Sequence, residues 1–413
     1  MSSQDVPGKL IAGKYELLMT AGEGGMAVVW KAILRGAGSF AKQVAVKRIQ
    51  AGKTADPSFI KMFEEEARVG SQLEHPNIVH IMDFGREPDG GYYLVMEWCE
   101  GLDMFQWVRS FQRPAAPGAG PRPTPWPLVS AIGIEVLRGL GAAHERVMQD
   151  GSPAPVYHRD VSPSNILLGS NGTVKLTDFG LARAMDRASM TRPNVIKGKL
   201  AYCAPELITG AKPSARSDIF ALGVVLWEAI AQRRLFTGKN DLEVLLAVRK
   251  GDIPDLRGER ADIPPALGEV IQNSLTANPD ERFQTAREMA RALASVLRST
   301  TEQADAEPLG ASVRAARVRL GKDAVDSLAA VLKAPAPVAS VPEPKIDLGD
   351  EPEMSSEALS MSDVEVVEAE LTQRKQHTDT APGTQDSVKA PPKGLFKNEG
   401  PSVAMPLVQK KKE

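Results

Sequence analysis

The residues with the most chemical content lie in Tyr157-His158-Arg159-Asp160-Val161-Ser162-Pro163-Ser164-Asn165 and, thirteen residues past Asn165, in Asp178-Phe179-Gly180. An Asp and an Asn at the two ends of one loop, and a second Asp opening the next turn, provide a base and two hard oxygen ligands. Asn165 and Asp178 suit a small hard cation such as Mg²⁺. Asp160 is placed to take a proton from a hydroxyl while the metal offsets phosphate charge. Two upstream stretches fit the same chemistry. Gly22-Glu23-Gly24-Gly25-Met26-Ala27-Val28-Val29 brings backbone close to a phosphate. Lys47 closes Val44-Ala45-Val46-Lys47, and Glu64, Glu65 and Glu66 follow with carboxylates to hold its ammonium. Taken singly, the glycines could mark an ordinary hairpin, Lys47 an edge charge and each glutamate a solvated surface residue.

These groups need a scaffold. Tyr15–Thr20, Val28–Ile33, Val44–Ile49, Val79–Arg86 and Tyr92–Glu97 are short, β-branched or aromatic, and bounded by turn residues, so they read as strands. The Gly-rich stretch runs on into strand, unlike a dinucleotide-binding turn, which opens a helix. One helix interrupts the strands, with Asp56 as N-cap and Pro57 at its first position, reaching about Leu73. From Asp103 helical periods dominate: 128–146, 216–231, 241–250, 266–276 and 285–297. Arg113–Pro127, dense in Pro, Gly and Ala, is expected to be an exposed irregular loop. Residues 166–168 and 174–177 form a hairpin turning at Asn171-Gly172, which brings Asn165 and Asp178 together. The pattern is α+β: a small antiparallel sheet with one helix, then a larger, mostly helical part.

On these motifs the chain resembles the eukaryotic-like serine/threonine protein kinases of bacteria, over roughly Tyr15 to Leu297. The resemblance implies a two-lobed kinase fold, with ATP and Mg²⁺ as cofactors and transfer of the γ-phosphoryl group to a protein hydroxyl. It implies an extension at 1–14, a first lobe at 15–97, a second at 98–298 and a tail at 299–413. It assigns Gly22, Glu23, Gly24, Gly25, Ala27, Val29 and Ala45 to the nucleotide. Lys47 is implied to bind its phosphates, paired with Glu66. Met96 is implied as gatekeeper, Glu97 to Cys99 as the hinge against adenine, and Asp103 as the ribose contact. Asp160 is implied as catalytic base, and Asn165 and Asp178 as metal ligands. Glu206 of Ala204-Pro205-Glu206 is implied to pair with Arg282, and Asp218 to brace the catalytic loop. The family uses His158 for packing and backbone support rather than as a base.

Three positions depart from the family pattern. Ala27 replaces the third glycine. Ser162 stands where a lysine usually touches the γ-phosphate. Lys199 follows Gly198 where a threonine is usual. In the family that threonine lies against the missing lysine, so Lys199 is expected to restore the lost charge; an exposed lysine is the plain alternative. Ser162 also leaves open a pseudokinase, a nucleotide-binding scaffold without transfer. Arg159 is expected to receive a phosphate on Ser189 or Thr191 of the activation segment, placed there by autophosphorylation.

Composition adds exclusions. Net charge is −2, from 50 basic and 52 acidic residues, without a basic aromatic stripe, so nucleic acid is not an expected partner. Two cysteines, Cys99 and Cys203, fit free thiols in a reducing compartment, and both read as plain small residues. The absence of a signal-like start, and of any run of about 18 apolar residues, leads to the expectation of a cytoplasmic protein without a membrane span. Ala336–Leu371 holds ten acidic residues against Lys345 alone, which points to disorder. This tail is expected either to dock a regulatory partner or to serve as a solubilising linker. Ser312–Lys333 reads as a short basic helix, solvated or transient.

Overall fold

The computed structural model describes residues 5–24, 27–50, 57–114, 120–179 and 199–322. All of them lie within one unit, Met1–Asp347. Asp56, Gly25, the segment holding Ser189 and Thr191, and the acidic stretch after Lys333 fall outside the described residues.

The first lobe is an antiparallel sheet of β1 (Leu10–Ile11), β2 (Tyr15–Glu23), β3 (Ala27–Arg35), β4 (Ala41–Ile49), β5 (Ile81–Arg86) and β6 (Tyr92–Glu97), ordered β1-β2-β3-β4-β6-β5. Strand alternation divides its side chains. Val44 and Val46 join Ile11, Leu17 and Trp30 on one face. Ala45, Leu94 and Met96 face α1 (Pro57–Gly70) with Phe63 and Ala67. Lys47, two residues beyond Ala45 and paired with Leu94, shares this second face. The extension at 1–14 contributes β1 to the sheet: Ile11 pairs with Tyr15 and is fully buried. β5 starts later than expected, because the Val79 N–H is used by the Leu176 carbonyl (2.8 Å) of the second lobe.

The second lobe begins with β7 (Gly101–Asp103), which pairs with the hairpin of β8 (Ile166–Gly169) and β9 (Val174–Leu176). Its helices are α2 (Met104–Gln112), α3 (Trp126–His144), α4 (Pro205–Ile208), α5 (Ala215–Ala231), α6 (Asp241–Lys250), α7 (Leu256–Glu259), α8 (Pro265–Ser274) and α9 (Ala286–Leu297). At 19 residues and a mean hydropathy of 1.2, α3 has the length and average hydropathy of a membrane-crossing helix, although Ser130, Glu135 and Arg138 interrupt its apolar run. Here its apolar side chains Val129, Ile132, Leu137 and Leu140 pack into the core shared with α5.

Two expectations are corrected. The end of the Pro-rich loop is not exposed. Thr124 is fully buried, its hydroxyl donates to the Ala229 carbonyl, and Arg260 donates to its carbonyl (3.2 Å). The basic helix is not solvated. It is α10 (Ala306–Leu320), begins earlier than expected, ends at Gly321 in left-handed geometry (φ 70°), and lies against α2, β7 and β8. Leu309, Val313 and Ala316, at helical spacing, form its buried stripe. Gly310 permits close approach: a Cβ there would stand 2.8 Å from the Ser170 carbonyl oxygen.

Candidate active site

Lys47, Glu66 and Asp178 form one buried ionic group. Lys47 Nζ lies 2.7 Å from Glu66 Oε1 and 2.8 Å from Asp178 Oδ1. Glu66 reaches it because it lies on the inward stripe of α1 with Phe63 and Ala67. Glu64 is exposed and Glu65 pairs with Arg68 (2.7 Å). Burial acts to lower Lys47, but Asp178 and Glu66 outweigh it and hold the ammonium protonated. Burial likewise acts to raise Asp178, and Lys47 overcomes it, leaving that carboxyl at about 2. For Glu66 burial raises the carboxyl above its ordinary value, against the Lys47 ammonium, which lowers it.

The catalytic loop is fixed from below by Asp218, near the start of α5. Its Oδ1 accepts from Arg159 N–H (2.8 Å), and its Oδ2 from His158 N–H (2.8 Å) and His144 Nε2 (2.8 Å). Burial opposes the charge on Asp218, but these donors keep its carboxyl below the usual range. The sequence reading missed His144, whose only signal was a polar residue ending an apolar helix. Arg159 (φ 68°) and Asp178 (φ 65°) are non-glycine residues in the left-handed region, a conformation that needs such support. His158 is fully buried: Nδ1 accepts from Asp160 N–H (3.3 Å), Nε2 donates to the Thr177 carbonyl (2.9 Å), and the ring meets Phe179 edge-on. Both nitrogens are engaged, which matches support rather than proton transfer.

Asp160 Oδ2 accepts from Asn165 Nδ2 (2.9 Å) and from Lys199 Nζ. Among the described residues Oδ1 accepts nothing, so it is available to a substrate hydroxyl. The Asn165 amide nitrogen also donates to the Asp160 carbonyl (2.8 Å), which turns its side-chain oxygen, a hard ligand, away from that contact. Asn165 and Asp178 therefore fit a Mg²⁺ ion that takes its remaining ligands from phosphates and water. Among the described residues no group of three or more acidic, His or Cys side chains forms a cage for a metal. Ser162 is buried and within 3.1 Å of the Ser164 hydroxyl.

The base pocket is apolar. Val29, Ala45, Met96 and Leu167 pack in one cluster. Leu167 was missed; it lies between fully buried Ile166 and Leu168, so alternation turns it toward the pocket. At the hinge, the Cys99 backbone N–H and C=O have no partner among the described residues and can read a planar base. Glu97 spends its N–H on the His80 carbonyl (3.0 Å) and its carboxylate on His80 N–H (2.8 Å) and Lys175 (2.8 Å). Burial pushes the Cys99 thiol up to about 11 and that of Cys203 up to about 12, so both stay unreactive. Asp103 caps α2, accepting from Gln106 N–H (2.7 Å), and burial raises its carboxyl to about 6. Gly22 and Glu23 pair with Val29 and Val28 at the end of the β2–β3 hairpin, Gly24 N–H closes onto the Ala27 carbonyl (2.9 Å), and Ala27 opens β3 opposite Ile49.

Behind the activation segment, Glu206 and Arg282 form a two-pronged pair (2.8 and 2.9 Å), with Ser217 also donating to Glu206 (2.9 Å).

A small lobe carrying a buried Lys–Glu pair, a hinge with free backbone groups and an Asp/Asn/Asp catalytic centre define a phosphoryl-transfer domain. The chain belongs to the protein kinase domain family, which it matches over residues 15–293. It is 40% identical over 302 residues to the tyrosine-protein kinase MasK of Myxococcus xanthus, covering 73% of this chain and 46% of that protein. It is 32% identical to the serine/threonine-protein kinase PrkC of Bacillus subtilis (68% of this chain, 40% of that one). It is 34% identical to the serine/threonine-protein kinase PknA of Mycobacterium tuberculosis (70% and 62%). The chain thus spans only part of each of these relatives. Among solved structures it is similar to the PknI kinase domain of M. tuberculosis, with TM-score 0.52, 27% identity and coverage of 71% and 99%. It is also similar to Rad53 in complex with AMP-PNP, with TM-score 0.52, 25% identity and coverage of 68% and 65%.

Proposed function

We propose that this chain transfers the γ-phosphoryl group of ATP to serine or threonine hydroxyls of proteins. The observation that carries the reading is the Asp160 carboxylate, with one oxygen fixed by Asn165 and Lys199 and the other open. In the transfer, the acceptor oxygen bonds to the γ-phosphorus, the bond to the departing ADP oxygen breaks, and the hydroxyl proton passes to Asp160 Oδ1. Lys47, steadied by Glu66, holds the phosphates in line with the acceptor. Bound Mg²⁺, held by Asn165 and Asp178, supplies neutralisation of phosphate charge. Lys199 brings a positive charge beside the catalytic carboxylate in place of the lysine absent at Ser162, with one face of its half-exposed ammonium turned to solvent.

Serine/threonine selectivity is supported by Pro163 in the catalytic loop and by the names of PrkC and PknA. Tyrosine is the second reading, favoured by the name of MasK. Phosphoamino-acid analysis of a generic protein substrate separates them, with Asp160→Asn as the blank. Phosphoserine or phosphothreonine supports the proposal, and phosphotyrosine alone overturns it. The same proposal includes autophosphorylation at Ser189 or Thr191, received by Arg159, and work in the reducing cytoplasm, which suits the free thiols Cys99 and Cys203.

A further inference from the structure

Helix α10 lies beyond the stretch matched by the kinase family, residues 15–293, yet it is built into the domain. Leu309, Val313 and Ala316 are buried, and the Ser312 hydroxyl accepts from Trp107 Nε1 (3.0 Å) on α2. Near its middle Arg314 donates to the carbonyl of Ser170, on the β8–β9 turn, whose own N–H donates to the Glu100 carbonyl (2.7 Å). Toward its C-terminal end it reaches the hinge. Arg317, 7% exposed, donates through Nη1 to Glu100 Oε1 (2.6 Å).

Glu100 joins three parts of the molecule. Its Oε2 accepts from Lys31 Nζ (3.0 Å), on β3 of the small lobe, and from the hinge indole Trp98 Nε1 (2.7 Å). Lys31 is itself buried and sits 5.0 Å over the Trp98 ring. Beside this junction is Cys99, whose free backbone groups face the base pocket. On the other side is Gly101, pressed so closely on β8 that a Cβ would stand 1.9 Å from the Leu168 carbonyl oxygen. Past the end of the helix, Lys322 Nζ donates to Gln106 Oε1 (2.9 Å), on the turn capped by Asp103.

The geometry points to Arg317 as a positioning residue of the nucleotide site, acting through Glu100 to fix the hinge and Lys31 of the small lobe. Burial and the two cations explain why one carboxylate serves both lobes. Burial opposes the charge on Glu100, but Trp98, Lys31 and Arg317 hold its carboxyl at about 2, so it stays ionised throughout the working range. Removing Arg317 takes away the α10 cation and leaves Lys31 and Trp98 as the side-chain donors to Glu100 among the described residues. The cost falls on nucleotide binding, which needs Cys99 and the small lobe in register. It does not fall on the chemical step, which is organised by Asp218 and Asn165.

The inference rests on the nucleotide reading of the hinge, so the test measures the hinge both with and without nucleotide. Arg317→Ala in the full chain should speed hydrogen exchange of the 98–103 backbone in the nucleotide-free protein. It should raise the KM for ATP about three- to tenfold while kcat at saturating ATP stays within about twofold. Arg317→Lys should recover most of the loss. Glu100→Gln, which keeps the side-chain shape, should move both readouts in the same direction. Arg319→Ala, on the same helix but donating to the Ser110 hydroxyl of α2 (2.9 Å) rather than to the hinge, should move neither. Unchanged hinge exchange and unchanged KM in both Arg317→Ala and Glu100→Gln overturn the inference, as does an equal effect from Arg319→Ala. A faster-exchanging hinge in a chain whose unsubstituted form binds no ATP upholds the positioning role and refutes the nucleotide reading instead.

Discussion

Replacing Lys199 by alanine removes the cation that shares Asp160 Oδ2 with Asn165. Two effects follow. The base loses one of its two restraints, although Asn165 (2.9 Å) still fixes it. The site also loses a positive charge where phosphate charge develops, in a loop whose usual lysine is Ser162. A single preorganised donor at such a position is worth roughly 10²–10³ in kcat. Lys199 is 45% exposed, so solvent screening places it at or below the low end, about 30- to 100-fold, or ~2–2.7 kcal/mol. Nucleotide binding depends on Lys47, Cys99 and the apolar pocket, and should change by less than about twofold. The assay is steady-state phosphorylation of a generic basic protein at varied ATP, alongside titration with a fluorescent ATP analogue. Lys199→Arg, which keeps the charge, should retain most activity. If Lys199→Ala keeps the full kcat, Lys199 is a surface lysine and the compensation argument is wrong.

Arg282→Ala should destabilise the second lobe by about 3–5 kcal/mol, because it leaves the Glu206 carboxylate without its cation, with Ser217 as its remaining donor, and takes the donor from the carbonyls of Thr276 and Ala277; thermal unfolding measures this. Asp103 has a folded-state carboxyl at about 6, above its ordinary value, so the folded chain binds the extra proton and stability falls as pH rises from about 4 to 6. Asp103→Asn should remove that slope, on the order of 3 kcal/mol, in denaturant titrations across this range. Val313→Asp should place a carboxylate in the fully buried seam under α10, at a cost of several kcal/mol. It should release the helix, so that limited proteolysis cuts between residues 299 and 322 while cutting within α3 and α5 does not increase.

The parts of this site readable in the sequence are those where chemistry dictates residue type and spacing. Asp160, Asn165 and Asp178 can be neither exchanged nor shifted without losing the base or the metal ligands, so their pattern stands out. Lys47 was legible because it closes an apolar strand shortly after the Gly-rich hairpin, at the right distance to reach phosphates. Glu66 needed the helical phase of Phe63 and Ala67 to be told from Glu64 and Glu65, and the resemblance supplied it. What escaped were contacts between elements distant in the chain. The stripe of α10 is only three small or medium apolar residues, interrupted by Arg314 and Arg317, and basic composition hid its burial. Nothing in the sequence marks Glu100 as the partner of both Lys31 and Arg317. Thr124 looked like loop because Pro and Gly signal turns, not exposure. β1 was too short, at two residues, to carry a pattern.

The most direct test of the central claim is phosphoryl transfer by the purified chain with labelled ATP and Mg²⁺, measured beside Asp160→Asn. Label should appear on serine or threonine of the substrate, and Asp160→Asn should abolish it while still binding nucleotide. Nucleotide binding without label in the unsubstituted chain, or equal label in both proteins, would contradict the assignment of Asp160 Oδ1 as the acceptor of the hydroxyl proton.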